Sequence, residues 1–478
     1  MNLTKTDFIQ FLNCPKSFWL MRNKPDECPC EELSEYGQKL IKEGYEFESY
    51  VTQLIKNLPD TSSFEFQKTF ETEDGLFARL DIARHNDDGS INIYEIKSSN
   101  SVKDEHIYDT AFQAAIVRRL GAKVGKIFIV HLNKDYMRQG DIEPEKMIVF
   151  ADKTIKVKEQ LPKIDSQINQ ALALLDQESI DETSCSCLYL SKSNHCSSFD
   201  YFNPDIPKPS IYNLPRISSR KLEDFVIENR FGLDDLDSDE LSKLQKLVLS
   251  SHQNNKPHIN LADIENFFSY LRYPLYFLDY EAYGSAIPVI DGLRPHAHLP
   301  FQFSLHVLEE NGTLTHHEYL AEEIVLPIKL VEALEKYIGD YGSIIAWHKV
   351  YENSRNKDMA QLYPAKATFL NDLIDRTLDL EDIFKTGYVD IAFGGSTSIK
   401  KVLPVIVPEL SYDSMDIADG TSAMDGWARM ITEKDANKRE KLKQDLLAYC
   451  KLDTLAMVKI FQFIEAQTNE GLSDGIGE

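Results

Sequence analysis

The 478-residue chain has no apolar run approaching the roughly 20 residues needed to cross a bilayer. Its opening, MNLTKTDFIQFLNCPKSFWL, mixes charged and polar residues into the apolar pattern and lacks a signal-peptide core, so a cytoplasmic location is expected. Cysteine is sparse and odd in number: Cys14, Cys28, Cys30, Cys185, Cys187, Cys196 and Cys450. In a chain this long without a secretion signal, that is no disulfide framework. The usual C-x₂₋₄-C pairs are missing, which argues against zinc. No two histidines form a helical ligand pair, so His252, His258, His296, His298, His316 and His317 are expected at the surface or in loops. Basic residues are outnumbered 52 to 77, for a net charge of −25. This excludes a protein that coats nucleic acid through a general basic surface. It leaves room for a channel with local cations such as Lys97, Lys103, Arg118 and Arg119. Internal repeats and low-complexity tracts are also lacking.

What is present is ordinary in bulk, with 42% hydrophobic and 27% charged residues, and long enough for two or three domains. Residues 1–205 are expected to form an α/β domain. Helical spacing runs to about Leu58, followed by strand-like FEFQKTF, LFARLDIAR and INIYEIKSS, with a turn at DDG. A helix over DEHIYDTAFQAAIVRRLG, a strand at KIFIVHL and an amphipathic helix near QLPKIDSQINQALALLDQ complete it. The proline-rich FNPDIPKPSIYNLPRISSR opens a linker and helical connector over 206–263. A second α/β domain is expected over 264–478, from strand PLYFLDYEAY to helix KREKLKQDLLAYCKLDTLAMVKIFQFIE.

Two carboxylate constellations stand out. In the first, Glu95 and Lys97 alternate on one strand and therefore share a face, and Asp81 on the preceding hairpin strand can lie beside them. Mg²⁺ needs only one or two carboxylates and some carbonyl or water oxygens. A neighbouring ammonium suits water orientation or stabilisation of developing charge. E-x-K by itself is more often a solvated strand face. Here it is joined by Asp81, by Ser98 and Ser99, and by Gln113 on the next helix.

This arrangement resembles the RecB-like PD-(D/E)XK nucleases, with a restriction-endonuclease-like fold. The resemblance implies metal binding by Asp81 and Glu95, action of Lys97 at the attacking water, and positioning by Gln113. Glu48, after Gly44, matches the family's upstream helical acid. A tyrosine often found four residues beyond the glutamine is Val117 here, with Tyr108 a candidate replacement. The iron–sulfur type of this family places one cysteine before the core and three after it. The resemblance implies a [4Fe-4S] cluster on Cys14, Cys185, Cys187 and Cys196, with Cys185 substituting for a final cysteine that is Phe202 here. A degenerate site with only buried or free thiols is the alternative.

In the second constellation, D-x-E places Asp279 and Glu281 on one strand face, and Y-x-x-x-D places Tyr449 and Asp453 on one helix face. Each pair alone commonly means nothing more than a strand end or a solvated helix. Together and in this order they resemble the DEDDy branch of the DnaQ-like, ribonuclease-H-fold exonucleases. There, four carboxylates hold two metals and the tyrosine orients water. IIAWHKVYENS supplies the intermediate element, with Glu352 as its acid and His348 in place of the usual asparagine. Asp379 is a second candidate, and Lys400 with the hydroxyls of GGSTSIKKVLP is a candidate substrate contact.

Nearly the whole chain resembles a bacterial family that fuses these two nuclease types. The reading is an α/β enzyme with two active centres that use Mg²⁺ or Mn²⁺ to hydrolyse nucleic acid, DNA rather than RNA, in repair or defence against foreign DNA. One active centre with the other domain as a clamp, acting even on RNA, is the first alternative. A scaffold that keeps both folds after catalytic decay is the second.

Overall fold

The computed structural model describes residues 2–29, 34–412 and 415–474; Cys30 lies outside them. The chain is mixed α/β and divides into two compact units. One is Met1–Asp205 with Ser285–Ala297; the other is Ile206–Gly284 with His298–Glu478. The expected connector thus falls inside the second unit, and thirteen residues from the second half of the sequence fall in the first. The proline-rich stretch is no free tether. Ile211, Tyr212 and Leu214 are buried, and Asn213 Nδ2 donates to Gly394 O at 2.9 Å. Among the described residues, no helix is long and apolar enough to cross a membrane.

The first unit begins with helices α1 (Lys5–Asn13), α2 (Pro15–Asn23) and α3 (Glu35–Lys56). Its sheet runs β1 (Phe64–Glu71), β2 (Phe77–His85), β3 (Ser90–Lys97), β4 (Lys123–Leu132) and β5 (Ile148–Asp152), paired in sequence order. Only β3 and β4 are parallel, because α4 (Asp104–Arg119) carries the chain back between them. The β2–β3 turn closes through Gly89, at φ +75°, whose N–H donates to Asn86 O at 2.9 Å. β3 is buried on both faces, although Ile91 and Ile93 alternate with the polar Ser90 and Asn92. One face packs against α1, α2, α4 and α5 (Thr154–Leu175), through Phe8, Phe18, Phe112, Ile116, Val157 and Ile164. The other packs against Phe47, Val51 and Ile55 of α3.

In the second unit the sheet contains β6 (Leu275–Gly284), β7 (His298–Leu308), β8 (Leu314–Leu320), β9 (Ser343–Ala346) and β10 (Thr377–Asp379). The order is β10-β9-β6-β7-β8, with β9 parallel to both neighbours and the β6–β7–β8 meander antiparallel. Tyr276, Leu278 and Tyr280 point to the side of α6 (Ile328–Tyr337), α7 (Val350–Leu362) and α8 (Ala367–Arg376), sharing a core with Leu330, Leu334, Met359 and Leu370. The alternate residues Phe277, Asp279 and Glu281 point to the side of α9 (Ala436–Asp474), where Phe277 and Phe461 rings lie 5.7 Å apart.

Candidate active sites and a cysteine cage

In the first unit the β2–β3 ladder ends at Ile82 opposite Tyr94. Asp81 then takes over, its Oδ2 accepting the Ile96 N–H at 2.7 Å, so the acid sits where the strands part. Glu95 is buried and both its oxygens are engaged. Lys5 Nζ and Lys97 Nζ lie 2.8 and 3.0 Å from Oε1, and Gln113 Nε2 donates to Oε2 at 2.7 Å. Lys97 also reaches Asp109 Oδ2 at 2.5 Å. Burial works to raise the Glu95 carboxyl, but Lys5 and Lys97 outweigh it and hold it at about 2. Burial first, then the Glu95 charge, pushes Asp81 up to about 8. Gln113 Oε1 is buried with no partner among the described residues. Glu48 accepts a hydrogen bond from Gln67 Nε2 and adds negative potential at Asp81. It lines an open cleft of about 730 Å³ with Tyr45, Lys56, Gln67 and Arg79. Among the described residues, no third metal-ligating side chain joins Asp81 and Glu95 within a single-ion span. Tyr108 packs against the hydrophobic core with Lys163 over its ring, and Val117 is fully buried there.

Lys5 and Asp109 escaped the sequence reading. Asp109 was visible in principle: on α4 it precedes Gln113 by one turn. Lys5 was not, because ninety residues separate it from Glu95. It is held by the capping box of α1, in which Thr4 and Asp7 exchange hydrogen bonds.

In the second unit, carboxylate oxygens of Asp279, Glu281 and Asp453 all lie within 4.8 Å of one another, a spacing that can hold a metal ion. A bulge in the β6–β7 pairing directly after Glu281 re-aims the end of that strand. Asp279 faces Ser304 and Glu281 faces Gln302 across the ladder. Those two partners hold α9 in turn. Gln302 Nε2 donates to Leu446 O at 2.9 Å, and Ser304 Oγ lies 2.7 Å from Thr454 Oγ1, which fixes Asp453 over the strand. Tyr412 donates to Asp453 Oδ1 at 2.6 Å, and Tyr449 stands beside the same acid, where it favours the ionised carboxylate. Among the described residues, Asp279 Oδ2 receives only the weak Cys450 thiol, at 3.5 Å.

So many acids in one dry place cannot all stay ionised without a cation. Burial first, then Asp453, Glu281 and Glu352, pushes Asp279 well up. Burial, then Asp453 and Glu352, does the same to Glu281. Burial lifts Asp453 to about 6 and Glu352 to about 8. Glu352 is buried beside the triad, outside its 4.8 Å span, and its Oε2 has no partner among the described residues. Asp379 instead accepts N–H groups from His348 at 2.9 Å and from Lys349 and Glu381 at 3.2 Å. His348 itself is in the left-handed region at φ +62°. Lys400 stabilises ionised Glu281 and Asp453 from beside the Tyr412 ring. Tyr412 had no signal in the sequence, since it stands in an irregular segment 41 residues before Asp453.

The Sγ atoms of Cys14, Cys185, Cys187 and Cys196 form a third cluster, all within 4.8 Å of one another, which can also hold a metal ion. Cys14 caps α2, its Sγ accepting the Ser17 N–H at 3.5 Å, and Cys185 Sγ accepts Asn203 Nδ2 at 3.4 Å. Phe202 is a fully buried core residue. The neighbouring thiols, Cys14 first and then Cys187 and Cys196, pull the Cys185 thiol far down, whereas Cys14, then Cys185 and Cys187, push Cys196 up.

His316 is half-buried on β8 rather than in a loop. Its Nε2 lies 2.9 Å from Ser304 Oγ, and the Thr454 hydroxyl reaches His306 Nδ1 at 2.8 Å.

A family described as a domain of unknown function (DUF2779) matches residues 276–398, a span that holds Asp279, Glu281 and Glu352. The chain is similar to an uncharacterized protein, UU173, of Ureaplasma parvum serovar 3. The two are 26% identical over 277 residues, covering 50% of this chain and 39% of that relative's length.

Proposed function

We propose that this protein is a metal-dependent phosphodiester hydrolase acting on nucleic acid, with a RecB-like PD-(D/E)XK first unit and a ribonuclease-H-like, DEDDy-type second unit. The observation that carries the reading is the convergence of Asp279, Glu281 and Asp453 with Tyr449 at the same acid. Mg²⁺ or Mn²⁺ held there supplies Lewis-acid charge at the phosphate. Glu352, with a free buried oxygen, is the fourth acid. Burial raises Tyr449 far above its usual range, so it stays a phenol that can orient water rather than a base that removes its proton. Lys400 supplies the cation for the substrate backbone. The second centre would trim nucleotides from 3′ ends, and the first would cleave with Asp81, Glu95, Lys97 and Gln113, on DNA in preference to RNA.

One observation favours a single-centre alternative. Both Glu95 oxygens already accept hydrogen bonds, from Lys5 and Lys97 at one and Gln113 at the other, so a metal there competes with groups that neutralise and orient the carboxylate. The first unit would then act as a clamp.

The test is Mg²⁺- or Mn²⁺-dependent degradation of end-labelled single- and double-stranded DNA and RNA by wild type, Asp81→Asn, Asp279→Asn and the double variant. Each single variant is expected to lose one activity by on the order of 10³-fold, and the double variant both. Loss of all cleavage in Asp279→Asn alone supports the single-centre alternative. A folded, metal-loaded wild type with no turnover on any substrate overturns the enzymatic reading.

A further inference from the structure

We infer that Cys14, Cys185, Cys187 and Cys196 hold one zinc ion rather than a four-iron cluster. Size separates the two. A tetrahedral ion with Zn–S bonds of about 2.3 Å sets its four sulfurs about 3.8 Å apart. A cubane carries its thiolates on four separate irons, which spreads them to roughly 6 Å. Here every Sγ lies within 4.8 Å of every other, a cage that encloses one ion and has no room for eight cluster atoms.

The surroundings agree with the size. Cys14, Cys185 and Cys187 are buried and Cys196 half-buried, so four thiolates without a cation would be a heavily penalised charge. Four thiolates select a soft or borderline ion over Mg²⁺ or Ca²⁺, and zinc binds such a site more tightly than Fe²⁺. The N–H groups of Ser17 and Asn203 already donate to Cys14 and Cys185, the supporting hydrogen bonds that orient thiolate ligands. The missing C-x₂₋₄-C pair is replaced by Cys185-x-Cys187 at a short 3₁₀ turn, with Cys14 delivered from the far end of the unit. All four positions are filled by protein, so the ion is structural. It closes the beginning of the first unit onto its end and stabilises the fold as any long-range cross-link does. This inference stands whether or not the protein is a nuclease.

The test is the metal and acid-labile sulfide content of the full chain, purified both in air and anaerobically from cells supplied with iron and zinc. One zinc per chain, no sulfide and no visible charge-transfer absorption are expected in both preparations. Mercurial modification of the thiols should release that zinc to a chromophoric chelator. Cys187→Ser should lose the ion and unfold roughly 10 °C lower. Should that variant fail to fold, exchange of cobalt into the wild type decides instead, because a tetrahedral four-thiolate site turns intensely coloured. Iron with sulfide in the anaerobic preparation, a single iron, four metal-free thiols, or colourless cobalt protein each overturns the inference.

Discussion

Two ammonium groups share one oxygen of Glu95, and only one of them, Lys97, was legible in the E-x-K pattern. Lys5 balances a carboxylate that is otherwise deep in the protein, and a divalent cation at Asp81 and Glu95 would take over that task. Lys5→Met is therefore expected to cost about 1 kcal/mol in chelator, allowing for the partial exposure of the lysine. The cost should shrink when Mn²⁺ is present. Thermal unfolding with EDTA and with Mn²⁺ measures both values. An equal loss in the two conditions would mean that Lys5 and the metal do not compete for Glu95. Because Glu95 is held at about 2, its contribution is present above about pH 4 and is lost as the pH falls through 2.

At the scale of elements, α9 is the piece on which the second centre depends. Leu446, Tyr449, Cys450, Asp453, Thr454, Met457 and Phe461 are all buried and recur at helical spacing, so one stripe carries both core and chemistry. Thr454 links that stripe to β7 through Ser304 and His306. Thr454→Val keeps the volume but takes the hydroxyl partner away from buried His306 Nδ1, and is expected to cost about 1–3 kcal/mol. It should also raise the Mn²⁺ concentration needed for half-maximal stabilisation, because Asp453 is the next residue. Urea unfolding and a Mn²⁺ titration of the melting temperature test this; an unchanged metal response would separate the network from the site. The strands carrying Asp81 and Glu95 were readable because their apolar residues alternate, and the strand carrying Asp279 because it is a short continuous apolar run. The helices carrying Gln113 and Asp453 were readable because their patterns run far longer than a strand. The burial of Ile211 and Tyr212 was not, since proline marks where regular structure stops and not whether the segment packs. Tyr412 and Lys5 were invisible for a related reason: each meets its acid through tertiary folding, and no local spacing encodes that.

For the whole molecule, a net charge of −25 says little about where the charge matters, because most of it is solvated and a few buried acids dominate the response to pH. Asp81 and Glu352 at about 8, Asp453 at about 6, and Asp279 and Glu281 well raised all bind protons more tightly folded than unfolded. Stability from such groups is complete below about pH 4 and declines as the pH rises toward 8. In chelator the protein should therefore lose on the order of 2 kcal/mol or more between about pH 5 and pH 8. Metal binding reverses the sign, since each ion needs the acids deprotonated, so stabilisation by Mn²⁺ should grow over the same interval. Asp279→Asn removes one of the mutually repelling acids and one ligand together. It should raise the stability of the metal-free protein at pH 8 and abolish most of the Mn²⁺ response of the second unit. Melting temperatures across that range, in EDTA and in Mn²⁺, test both halves. If stability in chelator is flat with pH and the Mn²⁺ shift is constant, the acids are already ionised and solvated. The triad would then be an ordinary charged surface and not a site that a cation completes.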